Sequence, residues 1–515
     1  MAVPSIDDVH GKGFPGSPLR RTNKLLKSRR HGRFQENRKS RTLAISVLAV
    51  LSLSACVAVP DAPQHVAQAS ANQLGLATQS AGIGARWWES FDDPQLSRLI
   101  DEGVKRNPTV KAALARVRTA DATVGVQRAA ELPQVSADGQ VLEQRFSDAY
   151  LIPPPYAGTT HWIPTVQANL DWDLDLFGRQ KAVVAIARSD AEAAGLDAAE
   201  ARLIISASIA QTYIGLARAQ QLIRVTNEFV KTREEALALT RSKARYALAS
   251  EFDQRTAETL LAQARQAELR ATGQRDLLIH ALAALVGRGA DFYPTISAPT
   301  LALDKRPQVP DMLPADLLGR RPDLLAGQAR IDAAVSGEQV ARTDFLPNVD
   351  LRALAGLASI GFGNFFSAGA ATYGGGVAIH VPIFEGGRLR AQYRRASADL
   401  DVAVANYDDS VLRAVRESAD ALTQVRLNDA DLDQEDRIVA GLRDTVRLDA
   451  VRTSTGLGSK LDAIDSGFRL LEAEQERVDL QAEGLIRRVQ LIAALGGGFI
   501  PNPSTATTSP SGKSL

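Results

Sequence analysis

Val166-Gln167-Ala168-Asn169-Leu170-Asp171-Trp172-Asp173-Leu174-Asp175-Leu176-Phe177-Gly178-Arg179 decides how this chain is read. As far as Leu176, apolar and polar side chains alternate, and a period of two puts one kind on each face of a strand. After Gly178 the pattern changes. No proline interrupts residues 179–245, and Ile209, Leu216, Ile223, Val230 and Leu237 recur every seven residues. A repeat of seven keeps one apolar seam against a partner helix. A strand with one wet face therefore runs into a helix on the order of 100 Å long, at 1.5 Å per residue.

The same succession returns later in the chain. Leu132-Pro133 and Leu346-Pro347 lie 214 residues apart, as do Asn107-Pro108 and Arg321-Pro322. Phe177 and Phe384 are 207 apart, and so are Arg245 and Arg452. Ser250 to Asp253 matches Ser459 to Asp462 at 209, and Leu282 to Leu285 matches Ile492 to Leu495 at 210. Ile464, Leu471, Val478, Leu485 and Ile492 repeat the heptad, and no proline interrupts 387–452. Each half thus reads helix, strand, loop, strand, long helix, turn, helix. The strands are expected near Val135–Val141, Val166–Leu176, Val349–Leu354 and Tyr373–Phe384, with loops at Ser147–His161 and Ser359–Ala371. The pairing of Arg245 with Arg452 makes the first helical turn about two residues shorter than the second.

After residue 56 no run of 18 apolar residues occurs, so a helical membrane span is not expected. A chain that crosses a membrane without one must do so as a closed β-barrel. Four strands cannot close such a barrel, since the smallest have about eight. Several chains would have to contribute strands to one barrel.

The start of the chain carries a different signal. Residues 1–41 hold 11 Lys/Arg against three acids, a head of net +8 on a body of net −7 in a chain of total charge +1. Such a head suits targeting better than nucleic-acid binding, because an uncharged run from Thr42 leads to Leu53-Ser54-Ala55-Cys56. That ending resembles the bacterial lipobox, in which the cysteine is acylated after cleavage. Multiple acyl chains anchor stably where one does not. Cys56 is the only cysteine. Lipidation at Cys56 is the expectation, and Val57 favours the outer membrane by the same resemblance.

Further motifs carry a resemblance to a family. Trp87-Trp88-Glu89-Ser90-Phe91-Asp92-Asp93-Pro94, Trp172 to Arg179, Arg320-Arg321-Pro322-Asp323-Leu324, Val381 to Arg388 and Ala493 to Gly498 occur in order. Together they resemble the TolC-like outer-membrane efflux proteins, in particular the lipoprotein branch serving resistance-nodulation-division pumps. The resemblance covers roughly 85–498. It implies an α+β membrane protein in which four strands per chain build a twelve-stranded barrel in a homotrimer, continuous with an α-helical periplasmic tunnel. It also implies a periplasmic adaptor and an inner-membrane pump as partners, a place in outer-membrane lipid, and no cofactor. The organisation expected is a signal region at 1–55, a linker at 56–84, repeats at 85–290 and 314–498 joined by 291–313, and a disordered tail at 499–515.

Within that resemblance, Arg245, Tyr246 and Ser250 in the first half, and Arg452, Gly456 and Ser459 in the second, fall at the turns that would meet the adaptor. The first turn lacks the glycine. Asp462 and Asp465 match the acids of the periplasmic aperture, where three copies would form a cation-selective ring. Two rival classes fit the sequence less well. An enzyme is disfavoured: Gly456-Leu457-Gly458-Ser459-Lys460 lacks phosphate-loop spacing, and the histidines form no ligand pattern. A periplasmic adaptor or coiled-coil lipoprotein would share the lipobox and heptads but would not need two alternating hairpins. A type I protein-secretion channel stays open, as does the cargo: drugs, phenolics, metals or a polypeptide.

Overall fold

The computed structural model describes residues 65–68, 83–149, 151–309 and 317–500. They lie in one compact unit, residues 58–515. The expected signal region, Cys56 and the tail beyond 500 fall outside the described residues. The first repeat runs α1 (Pro94–Arg106), α2 (Pro108–Ala129), β1 (Gln134–Arg145), β2 (Thr160–Asp173), α3 (Arg179–Arg245) and α4 (Glu251–Val286). The second runs α5 (Leu317–Arg320), α6 (Pro322–Thr343), β3 (Asn348–Ala358), β4 (Ala371–His380), α7 (Arg388–Ser454) and α8 (Lys460–Ala494). The duplication is plain in the lengths. α2 and α6 have 22 residues each, and α3 and α7 have 67 each. The strands stop short of two expected ends. Asp175 takes a left-handed turn, its carboxylate accepts from the backbone of Gln180 and Lys181, and α3 begins. Pro382 likewise follows the end of β4.

The strands form one antiparallel sheet in the order β1-β2-β3-β4. Its register aligns like with like. Val135 pairs with Leu170, Leu170 with Ala353 and Ala353 with Gly375, while Asp138 pairs with Gln167 and Gln167 with Gly356. One face is therefore apolar and the other mostly polar. The apolar face is not covered: Val135, Trp162, Val166, Tyr373, Val377 and Ile379 are all exposed in the single chain. Among the described residues, no strand lies beyond the edges β1 and β4. Trp162 and Trp172 bracket that face. Ten residues of strand separate them, about 33 Å at 3.3 Å per residue, or roughly 25 Å in height at barrel tilt. That is the height of a lipid-facing band. Among the described residues, no helix is long and apolar enough to cross a membrane.

The core lies beyond the sheet, around the middle of α3. Leu96, Leu99 and Ile100 of α1 pack with Ile209, Tyr213 and Leu216 of α3, Leu282 of α4, and Leu485 and Val489 of α8. The segment after α4 is more than a connector. Asp93 caps α1 through Gln95 N and Leu96 N, and it also accepts from the Tyr213 hydroxyl at 2.9 Å and from Thr300 N and Oγ1 at 3.1 and 3.0 Å. Phe292, Ile296, Leu301 and Leu303 join the same core.

Both repeats turn from their second hairpin helix towards the next element in the same way. Gly287 and Gly496, with φ of 78° and 89°, each lie against the carbonyl that ends α1 or α5. A Cβ there would stand 2.9 Å from Arg106 O or 2.5 Å from Arg320 O, so only glycine fits.

Candidate functional site

α3 with α4, and α7 with α8, form two long hairpins whose turns lie at the end away from the sheet. The backbone decides where each turn begins. α3 ends at Arg245, and Ala247 adopts φ 58° so that Leu248 N can donate to Lys243 O at 2.9 Å. α7 ends at Ser454, and Gly456 at φ 76° lets Leu457 N donate to Arg452 O at 2.8 Å. This is the same helix stop, a left-handed residue returning the chain to a free carbonyl. Ser250 and Ser459 then begin α4 and α8, each with a capping box, to Asp253 and Asp462.

The two turns are therefore equal in length, and the expectation of a shortened first turn is wrong. One offset of 209 residues carries Arg179–Arg245 onto Arg388–Ser454. The two extra residues lie at the strand-to-helix turn, where Phe384-Glu385-Gly386-Gly387 answers Phe177-Gly178. The structural counterpart of Arg452 is then Lys243, and that of Arg245 is Ser454. Ala247 stands where the second turn has Gly456, at the expense of a conformation that L-residues adopt reluctantly.

Between the hairpin ends lies a cleft of about 860 Å³. Equivalent positions of the two hairpins line it: Arg233 and Leu442, Thr240 and Asp449, Lys243 and Arg452, Asp253 and Asp462. Arg245, Tyr246 and Gly456 are not among its lining residues and sit on the turns themselves. The apolar side chains of the turns face solvent: Tyr246 and Leu248 are 75% exposed, and Leu457 is 76% exposed. Leu248, Phe252 and Leu457 lie outside the tip residues that the family resemblance singles out. Their signal is an apolar residue beside a helix stop with no core to enter.

The two aperture candidates differ. Asp462 is committed to its own helix: Asp462 N donates to Ser459 Oγ at 3.1 Å, and Ser459 N donates to the carboxylate at 3.3 Å. Its counterpart Asp253 is held below the usual carboxylate range by the Ser250 backbone N–H, then by the Ser250 hydroxyl. Asp465 is freer. It accepts from Arg469 at 3.2 Å across one turn, an exposed pair of small worth. Asp465 also faces Arg233, whose guanidinium is pulled below its ordinary pKa by burial and supported by Asp465 and Glu472. Asp449 receives the Ser466 hydroxyl and pairs with Arg452 at 3.4 Å. Among the described residues no cluster of His, Cys, Asp and Glu could hold a metal ion.

The outer membrane efflux protein family matches residues 99–288 and 313–497 of this chain. The fusaric acid resistance protein FusA of Burkholderia cepacia is 32% identical over 479 residues, covering 89% of this chain and 88% of that protein. The antibiotic efflux pump outer membrane protein ArpC of Pseudomonas putida is 30% identical over 468 residues, covering 89% and 95%. Among solved structures, the outer membrane protein VceC of Vibrio cholerae superposes with a TM-score of 0.74 at 29% identity, covering 81% of this chain and all of that one.

Proposed function

The chain belongs to the outer membrane efflux protein family, and from that membership we propose that its tips receive a periplasmic adaptor and that its cargo is small, largely apolar organic molecules. As in the family, the chain is an outer-membrane channel subunit, and three copies close their strands into a twelve-stranded barrel above a helical tunnel. The observation that carries this reading is the uncovered sheet. A four-stranded sheet with two bare edges and an exposed, register-matched apolar face is stable when copies pair edge to edge and lipid covers the outside.

Each partner then has a place. The exposed Tyr246, Leu248 and Leu457, with Arg245, Ser250, Arg452, Gly456 and Ser459 around them, make up the surface for an adaptor bridging to an inner-membrane pump. An apolar core with a charged rim is what a protein interface needs. The names of the relatives, a fusaric acid resistance protein and an antibiotic efflux protein, favour organic cargo over polypeptide. Lipidation at Cys56 agrees with the course of the chain. His65 lies between Glu338 at 3.2 Å and Asp401 at 3.3 Å. Asp401 is about 20 Å along α7 from its start, at 1.5 Å per residue. The nine residues from Cys56 to His65 can cover about 30 Å.

For the aperture, Asp465 is the acid to test, because replacing Asp462 also removes a helix cap. Asp465→Asn is expected to raise the conductance of purified trimers in planar bilayers and to weaken their cation preference; unchanged values would remove Asp465 from the aperture. Deleting the gene is expected to sensitise cells to aromatic drugs and organic acids. Wild-type resistance across such a panel, with a secreted polypeptide lost instead, would favour protein secretion.

A further inference from the structure

The 209-residue offset also predicts contacts between copies. Within one chain, α8 packs against both α7 and α3. α4 packs against α3 and keeps an exposed apolar stripe that includes Leu269 and Leu277, while α7 keeps one that includes Leu427 and Ile438. The seam between α3 and α8 shows what these stripes match. Leu269, 74% exposed, stands where α8 has Val478, which is 5% exposed and sits in the main core. Ile438, 50% exposed, stands where α3 has Phe229, which is 6% exposed. In a ring of three copies, α7 of one copy meets α4 of the next as α3 meets α8 within a chain.

The two kinds of seam differ in chemistry. In the α3–α8 seam the Arg233 guanidinium lies 3.5 Å from the centre of the Phe468 ring, and Phe229 meets that ring edge-on at 4.9 Å. Arg218 pairs with Asp479 at 2.6 Å in the same seam. The equivalents between copies are Leu442 for Arg233, Ile438 for Phe229 and Thr259 for Phe468. Leu427 and Arg270 replace the Arg218–Asp479 pair. A cation over an aromatic face and a direct ion pair are thus exchanged for aliphatic contact and a charge without its partner. We propose that the seams of the helical tunnel alternate, bolted within each chain and unbolted between copies, and that the periplasmic end widens at the three unbolted seams. This rests on the trimeric channel described above.

The test moves the bolt. Thr259→Phe with Leu442→Arg builds the ring and guanidinium into the seam between copies. The expected result is a trimer that dissociates in detergent at a higher temperature and conducts less in planar bilayers. In parallel, Thr259→Cys with Ile438→Cys is expected to give disulfide-linked trimers whose conductance falls and recovers on reduction. Arg270→Cys with Ile438→Cys, set about 16 Å out of register at 1.5 Å per residue, is expected not to link. Linking of the out-of-register pair, or in-register linking without effect on conductance, overturns the proposal. So does a grafted bolt that leaves both readouts at wild-type values. A wild-type chain that runs as a monomer under amine cross-linking would instead overturn the trimeric reading.

Discussion

In the first repeat, Asn107 donates one amide hydrogen to the carbonyl of Leu285 at 2.7 Å. In the second, Arg321 does the equivalent to Ala494 at 3.0 Å and then has donors to spare. Asp323 takes two of its N–H groups at 3.0 and 2.8 Å, and Glu417 accepts at 3.2 Å. The joint itself needs one donor to a carbonyl left free at a helix end. Both residues supply it. The difference is that the guanidinium, mostly buried, brings carboxylates with it, and these crowd a third. Glu200 on α3 is pushed up to about 7, first by burial and then by Asp323, against the pull of Arg321, with Glu417 and Asp197 adding to the rise. Two joints of the same geometry thus differ in their response to pH.

The largest expected effect would come from removing the charged donor. Arg321→Ala leaves Asp323 and Glu417 without their cation and is expected to destabilise the chain by about 3 kcal/mol. Asn107→Ala loses one hydrogen bond and leaves a carbonyl unpaired, about 1–2 kcal/mol. Thermal dissociation of the two purified variants compares them. Equal losses would mean that the charges add nothing to the joint.

Next in size is the pH response. In the unfolded chain Glu200 ionises near the ordinary glutamate value of 4.5, while in the folded chain it holds its proton to about 7. Its contribution is therefore most favourable below about 4.5 and is lost as pH rises through about 7. Glu200→Gln should match wild type at low pH and melt a few degrees higher above pH 7. Parallel melting curves across pH 4.5–8 would rule out Glu200 as the source.

The smallest effects belong to the tips, where the repeats differ by one left-handed residue. Ala247→Gly should stabilise the first tip and Gly456→Ala destabilise the second, each by about 1 kcal/mol. Amide exchange in residues 243–250 and 452–459 would read the change locally. The same slowing or quickening at both tips would contradict the equivalence of Ala247 and Gly456.

The alternation of Val166 to Leu176, the heptads from Ile209 to Leu237, and the duplication were all legible in the sequence. The first two are local periods, and periods of two and seven fix which side chains share a face before any partner is known. The helix lengths followed from them, whereas the register of the sheet is set by the backbone pairing of the folded chain. Where the halves diverge was not legible. The matches at 207 and 209 residues were both present, and nothing in them says whether two extra residues lie at the strand-to-helix turn or at the tip. Backbone hydrogen bonds decide that, by stopping α3 at Arg245 with Ala247 in a left-handed turn. They also assign Asp462 to a helix cap and make Lys243, not Arg245, the counterpart of Arg452. The exposed stripes on α4 and α7 belong to the same class. The sequence shows their apolar residues, and only the folded chain shows that Leu269, Leu277, Leu427 and Ile438 are left exposed.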